Sequence, residues 1–411
     1  MTGIQARPAW RSPRLWQPVI ALLLVGCASV QRTDSTLPPL NQVPGLTTPT
    51  PTIAQVDVTA PVDDAVPIVN PTKVITLADT PQGECVISAL PEQGQLTFAF
   101  ADRVYGLNPD ATLTCLADLS TSPDLLLWSP DGDEVLLAPQ RVLRADGTVV
   151  DTGFLESNIG VSWSQPAGTA LIAPNPSTGQ LLWRNAGNFD ERLDVTFTNG
   201  TIAAAYHPSG TRIAAIGTGM NDGKPGVFLA TNRGERAQRL DEAQDGVKPT
   251  ELGFDMSGSS LVFVRKQSNG GATVVRYLLG SGDLLTIAER SDVVPTRLTV
   301  SSVDEGDVAW VEPGADGLDQ VYAAVGLESV DATLVATPAG SSAQPIGWLP
   351  GNRLAVAVRA DGSATGAFDV WIWTPAGALP VISGADASGV RAAHGPWSNP
   401  PGADVGSETT G

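Results

Sequence analysis

From Leu90 onward the chain is a succession of short apolar runs, four to seven residues long, separated by clusters of Gly, Pro, Asp, Asn and Ser. Runs of this length, rich in Val, Leu, Ile and Ala and bounded by turn formers, predict β-strands. No stretch carries the capped 3.6-residue period of an amphipathic helix. The runs also keep step with one another. An apolar or aromatic residue, a tight turn ending in Gly and a buried strand recur as LPEQGQLTFAF from Leu90, WSPDGDEVLLA from Trp128, WSQPAGTALIA from Trp163, YHPSGTRIAAI from Tyr206, FDMSGSSLVFV from Phe254, SVDEGDVAWV from Ser302 and WLPGNRLAVAV from Trp348. The turn glycines are Gly94, Gly132, Gly168, Gly210, Gly258, Gly306 and Gly351, a period of 36 to 48 residues. A second strand, turn and strand follows each of these, as in VLRADGTVVDT, VVRYLLGSGDLLTI and VWIWTPAGALPVI. Each unit therefore predicts four short antiparallel strands, A to D, joined by hairpins.

A four-stranded unit of this size cannot bury its faces alone. Radial stacking solves the problem while leaving only short edges, so the expected fold is an all-β propeller of seven blades, with six or eight as the alternatives. The aromatic before the first turn in five of the units (Trp128, Trp163, Tyr206, Phe254, Trp348) is expected to pack between neighbouring blades as core. In the turn itself, Pro presets φ, Asp or Ser bonds its own backbone, and Gly closes the hairpin at positive φ. At Trp128 to Gly132 the WSPDG sequence resembles the WD40-like repeat of TolB-type β-propellers, and the other copies are degenerate. The resemblance implies architecture and leaves activity unassigned.

The beginning of the chain reads differently. Arg7, Arg11 and Arg14 precede a short apolar run from Pro18 to Gly26, too short to cross a bilayer, and the layout is that of a cleaved secretory signal over residues 1–26. Leu24-Val25-Gly26-Cys27 resembles the bacterial lipobox. That resemblance implies diacylglycerol on Cys27 and an extracytoplasmic protein held to the outer face of the cytoplasmic membrane, or to the outer membrane of a Gram-negative cell. Residues 27–72 then form a lipidated, Pro- and Thr-rich segment too poor in large apolar groups to order itself. Extended at about 3.1 Å per residue, its ~45 residues reach up to ~140 Å. The propeller is expected over 73–399, with a disordered tail over 400–411.

Closure of the ring is left open by the pattern. The sequence KVITLAD from Lys73 resembles a fourth strand and VRAAHGPW from Val390 a first strand. With Cys27 lipidated, Cys85 and Cys115 remain as a pair for which an oxidising compartment favours a disulfide. Yet the repeat register puts Cys85 on an innermost strand and Cys115 on an outermost one, three strand spacings or ~14 Å apart, whereas a disulfide needs Cα atoms within about 7 Å. If the bridge forms, Cys85 must lie beside the outer edge of the first blade, and the C-terminal strand must supply that blade's inner position.

The formal charge is −19, from 43 acidic and 24 basic residues, and becomes more negative once the leader arginines are removed. This disfavours nucleic acid or anionic lipid as the partner of a basic patch. Only two histidines occur, His207 and His394, so a His-based metal cage is excluded; His207 reads as a turn residue. There is no G-x-S-x-G elbow. The stretch Gly219-Met-Asn-Asp-Gly223-Lys224 has the wrong spacing for a phosphate loop and runs into Pro225. One copy of STGQLLW, ending at Trp183, is similar to a quinoprotein repeat, but a turn falls at that place in every unit. Acidic residues are too numerous to single out a general acid and base. No catalytic constellation, no metal and no cofactor beyond the lipid on Cys27 are therefore expected.

One asymmetry points to a binding surface. The B–C loops read as short in the first three units and long in the last four, as GTGMNDGKPG, KQSNGG, EPGADGLDQ and RADGSATGAFD. Loops grafted on a rigid scaffold are where binding usually resides, which selects Asn221, Asp222, Asn269, Asp316, Asp319 and Asp361. The alternative is that these are solvated hairpins, offering at most weak cation ligands without an EF-hand series. The expected function is a membrane-anchored scaffold or accessory binding an envelope protein or glycan. The alternatives are an extracytoplasmic propeller enzyme, polysaccharide- or quinone-linked, and an accessory to a sensor kinase, as implied by similarity to propeller lipoproteins of actinobacteria.

Overall fold

The structure, a computed structural model, describes residues 74–76, 85, 96–100, 102–108, 112–119, 126–130, 134–137, 141–144, 146–151, 162–164, 168, 170–175, 178–185, 192–241, 246–327, 332–363, 367–383 and 390–394. The expected signal segment, Cys27, the tether, the Leu90–Gly94 turn and the C-terminal tail lie outside these. Every regular element among the described residues is a β-strand, and the strands form seven four-stranded antiparallel sheets. The A strands of successive sheets meet around one axis, so the sheets are the blades of a seven-bladed ring.

In A to D order, blade 2 is Leu126–Trp128, Glu134–Leu137, Arg141–Arg144 and Val149–Asp151; blade 3 is Ser162–Trp163, Ala170–Pro174, Leu181–Asn185 and Arg192–Val195. Blade 4 is Asn199–Tyr206, Arg212–Thr218, Pro225–Thr231 and Gln238–Arg239; blade 5 is Lys248–Phe254, Ser260–Lys266, Ala272–Leu278 and Leu284–Arg290. Blade 6 is Thr296–Val300, Val308–Pro313, Asp319–Ala324 and Thr333–Leu334; blade 7 is Ser342–Leu349, Arg353–Arg359, Asp369–Thr374 and Gly377–Ile382. Blade 1 takes B, C and D from Leu96–Phe100, Arg103–Leu107 and Leu113–Asp118, and its A strand from Val390–His394. The C-terminal strand thus closes the ring.

The closing segment overturns the innermost place that the repeat register gives Cys85 and bears out the outer-edge place that a disulfide requires. Cys85 and Cys115 are disulfide-bonded with Cα atoms 4.9 Å apart, and Cys115 is on the D strand of blade 1. Cys85 therefore sits at the outer edge of that blade, because the inner place is filled by residues almost three hundred positions away, through pairs such as Phe98 with Ala393. Nor does the segment after Lys73 act as a fourth strand. Ile75 forms a parallel bridge to Ile382 beyond the D strand of blade 7, with Ile75 N–H donating to Val381 O at 2.9 Å and Ser383 N–H to Ile75 O at 2.8 Å. Ile75 and Cys85 both pack into the cluster that joins blades 7 and 1.

The remaining core is a series of layers between blades. B strands such as Arg353–Arg359 are buried along their whole length, which accounts for their continuous apolar runs rather than alternation. Each end-of-A aromatic packs on the blade before it: Trp128 on Ala99 and Leu116, Trp163 on Leu136 and Val142, Tyr206 on Ile172 and Leu181, Phe254 on Ile216 and Val227, Trp348 on Val311 and Val321. The three indoles also satisfy their N–H groups there, donating to Thr97 Oγ1 (2.6 Å), Leu127 O (2.9 Å) and Thr299 O (3.2 Å) respectively. A buried indole needs such a partner, so each Trp is at once packing and an inter-blade hydrogen bond.

Candidate functional site

The B–C hairpins of all blades and the D-to-A connections share one face of the ring. The length asymmetry is smaller than the sequence suggests, since the separation of the B and C strands in blade 3, Pro174 to Leu181, equals that in blade 4, Thr218 to Pro225, and Arg359 to Asp369 in blade 7 is the longest. The hairpins are held by their own Asx turns. Asn269 Oδ1 accepts from Gly271 N–H at 3.0 Å, Asp316 Oδ1 from Leu318 N–H at 3.1 Å, and Asp361 Oδ1 from Ser363 N–H at 3.0 Å. The hydroxyl and amide of Ser363 hold the Asp361 carboxyl below its ordinary range.

Asp222 is tied more firmly. It accepts from Lys224 N–H at 3.1 Å and, through both carboxylate oxygens, from Arg239 Nη2 at 2.8 and 2.7 Å. The Lys224 amide, then the Arg239 charge, keeps its carboxyl low. Arg239 also donates to Pro225 O at 2.9 Å and lies over the Phe228 ring. Gly219 is required here for close approach, because a Cβ would lie 2.2 Å from Asp222 Oδ1. Of the six loop residues, four are thus engaged within their own blades, while Asn221 is exposed and Asp319 turns toward blade 7, accepting from Gln344 Nε2 at 3.0 Å.

What the structure does bring together is a polar belt across blades 4 to 7. Asp241, buried after the D strand of blade 4, pairs with Arg265 at the end of the B strand of blade 5, at 3.5 Å. Arg290, ending blade 5, is bidentate to Glu312 of blade 6 at 2.8 Å, and Glu312 also accepts from Trp310 Nε1 at 2.5 Å. Gln344 then links Asp319 of blade 6 to Arg359 of blade 7, whose Nη1 donates to Gln344 Oε1 at 3.2 Å. Burial, and next the nearby Arg297 charge, lower the Arg359 pKa. Apart from Asp319, these residues were missed in the loop reading, although a signal exists: Arg265 and Arg359 occupy neighbouring positions at the ends of VFVRK and VAVR.

The opposite face carries a different set of contacts. His207 donates from Nε2 to Gly258 O in the next blade at 3.0 Å and accepts at Nδ1 from Ser209 N–H at 3.0 Å, which selects the neutral Nε2–H tautomer. Burial lowers its pKa. Arg276 is fully buried and donates to the carbonyls of Gly306, at 2.5 Å, and Leu327 in blade 6. Beside it Asp307 Oδ1 accepts from Gly326 N–H at 2.8 Å, and burial pushes its carboxyl up to about 6. Gly306, at φ 86°, leaves no room for a Cβ against Leu327 N. The second histidine, His394, pairs with Thr97 in the closing strand.

No family model matches the sequence, and no curated protein matches it either. Among solved structures the chain is similar to an oligogalacturonate lyase from Vibrio parahaemolyticus, with a TM-score of 0.48 and 11% identity over 68% of this chain and 89% of that one. It is similar to TolB from Acinetobacter baumannii, with a TM-score of 0.37 and 14% identity over 73% of this chain and 66% of that one. A chain of a nidogen/laminin complex gives a TM-score of 0.41 and 10% identity, over 74% of this chain and 99% of that one. Similarities of this grade assign no activity to this chain.

Proposed function

We propose that the chain is a membrane-anchored extracytoplasmic propeller that holds a protein or glycan of the cell envelope, acting as a scaffold or accessory and not by turnover. The observation that carries this reading is the belt across blades 4 to 7. It ties four blades together on the face where the hairpins stand, so the surface is presented without the ordering cost that a mobile surface would incur on binding. Asp222, Asp241, Glu312 and Asp361 on that face are engaged in pairs and turns, as expected of a platform. The lipobox-like Leu24 to Cys27 supplies the anchor in this reading, and attachment at Cys27 through a long tether leaves the folded part free to meet partners beyond the membrane surface.

The test is in-cell cross-linking from the B–C loops of blades 4 to 7, with identification of what is captured. One defined envelope component should be recovered, and alanine at Asn221, Asn269, Asp316 and Asp361 together should abolish its capture while the ring stays folded by circular dichroism. Capture that persists unchanged in that variant would overturn the reading. Acyl labelling that persists in Cys27→Ala would remove the anchor.

A further inference from the structure

Two locally unfavourable features stand on adjoining blades of the hairpin face. In blade 5, Lys248 at the start of the A strand is directly paired with Lys266 at the end of the B strand, and both are exposed. Like charges opposite one another across a ladder destabilise it. In blade 6, Arg297 on the A strand is exposed and sits at φ 55°, a left-handed conformation costly for any residue with a Cβ. Strain of this kind persists only where the surroundings over-determine it, and it concentrates at ligand sites.

The surroundings here are specific. Glu251 lies in a bulge of the blade 5 A strand, between the pairs Pro249 with Arg265 and Leu252 with Phe263. Its two carboxylate oxygens accept from successive amides of the neighbouring blade, Arg297 N–H at 2.8 Å and Leu298 N–H. Those residues occupy a matching bulge between the pairs Thr296 with Val311 and Thr299 with Ala309. One carboxylate thus holds the left-handed turn that turns Arg297 out of the ladder. The acids nearby along the strands are already taken, Asp241 by Arg265, Glu312 by Arg290 and Asp319 by Gln344. Among the described residues, no hydrogen bond or ion pair engages the side chains of Lys248, Lys266 or Arg297.

We infer that Lys248, Lys266 and Arg297, positioned by Glu251, form an anion site at the mouth of the ring axis, and that its ligand is a saccharide chain bearing carboxylate or phosphate groups. The inference rests on the scaffold reading above and names the ligand class of that face. Among the described residues these three cations, with the single Glu251 carboxylate beside Arg297, leave a local excess of positive charge on a chain of net charge −19, and they select a ligand with more than one anionic group. A saccharide fits better than a protein because, among the described residues, the hairpin ends of blades 5 and 6 expose no large apolar side chain of the kind that anchors protein interfaces. The exposed leucines of blades 5 to 7, Leu284, Leu285, Leu334 and Leu379, are on outer D strands, and Ile202 and Met220 are a blade away.

The experiment is titration calorimetry of the full-length chain in detergent with a uronate hexasaccharide and with a glycerol-phosphate oligomer. A neutral glucan hexamer and a polyglutamate peptide serve as the other arms. Binding of either anionic saccharide and not of the glucan is expected, with Arg297→Gly and Lys266→Gln each weakening it at least tenfold. Because glycine tolerates positive φ and glutamine removes the repulsion, both variants should melt at or above the wild-type temperature. Which saccharide binds identifies carboxylate or phosphate as the source of charge. Wild-type chain that binds neither saccharide, or polyglutamate alone, overturns the inference, as do variants that bind undiminished or melt lower. In-cell capture that survives Arg297→Gly would overturn this site while leaving the scaffold reading intact, whereas its loss only in the four-loop alanine variant would locate the binding elsewhere on the face.

Discussion

Blades 2 and 3 and blades 4 to 7 solve one packing problem by different means. Blade 5 has four strands of seven residues, and its charged ends reach into both neighbours. Blades 2 and 3 have A strands of three and two residues. Among the described residues their ladders are short, and the indole N–H of Trp128 and Trp163 reaching into the preceding blade supplements the apolar layers and the Thr201 N–H to Gly179 O bond that join them to their neighbours. Blade 1 adds a covalent link at its outer edge. Short blades therefore depend on single large side chains, and long blades spread the same task over a polar belt that also shapes the hairpin face.

The sharpest way to break the contrast is at the indoles. Trp163→Ala should cost about 3–5 kcal/mol, as for other buried tryptophans, read by urea denaturation, and hydrogen exchange should rise first in blades 2 and 3. If Trp348→Ala in blade 7 opens its blade as readily, the contrast fails. Next in size is Cys85→Ser, which frees a loop of 30 residues and should cost about 3–4 kcal/mol, with exchange rising at the seam of blades 7 and 1. A third variant, Arg290→Ala, leaves the buried Glu312 carboxylate with only the Trp310 indole and should cost about 1–3 kcal/mol. Its exchange signature should stay between blades 5 and 6.

The smallest effect is on pH dependence. Asp307 has a folded pKa of about 6, above its unfolded value, so ionisation works against the fold as pH rises from about 4 through 6. His207 has a folded pKa below its unfolded value, so the stability tied to its neutral form is present above about 6.5 and lost as pH falls. The two act in opposite directions on acidification. Asp307→Asn, which keeps the acceptor for Gly326, should therefore make the protein more sensitive to acid between pH 6.5 and 4, by on the order of 1 kcal/mol. A melting profile in that window that overlays the wild type would show that Asp307 does not titrate there.

Much of this architecture is legible along the chain. The WSPDG turn and its degenerate copies mark the start of blades, and the aromatic before each turn is core because a residue at the end of an A strand has nowhere to go but the preceding blade. For Cys85 the repeat register and the cysteine pair pointed to different places, and the disulfide alternative holds because the strand beside Leu96–Phe100 is Val390–His394; pairing across such a separation leaves no local signal. The loop acids were legible as turn residues, but their direction was not: Asp319 leaves its hairpin for Gln344, and the αL conformation of Arg297 depends on a carboxylate one blade away.

By itself the sequence determined what repeats: strand, turn, strand, the aromatic at the blade junction and the glycine that closes the first turn, all of them properties of a few consecutive residues. Only the tertiary structure decided which strand closes the ring, where Cys85 finds Cys115, and which charges on the hairpin face are paired and which stand free. Those outcomes depend on neighbours brought together by the ring, where Coulomb and hydrogen-bond partners are chosen by distance in space and carry no trace in local spacing.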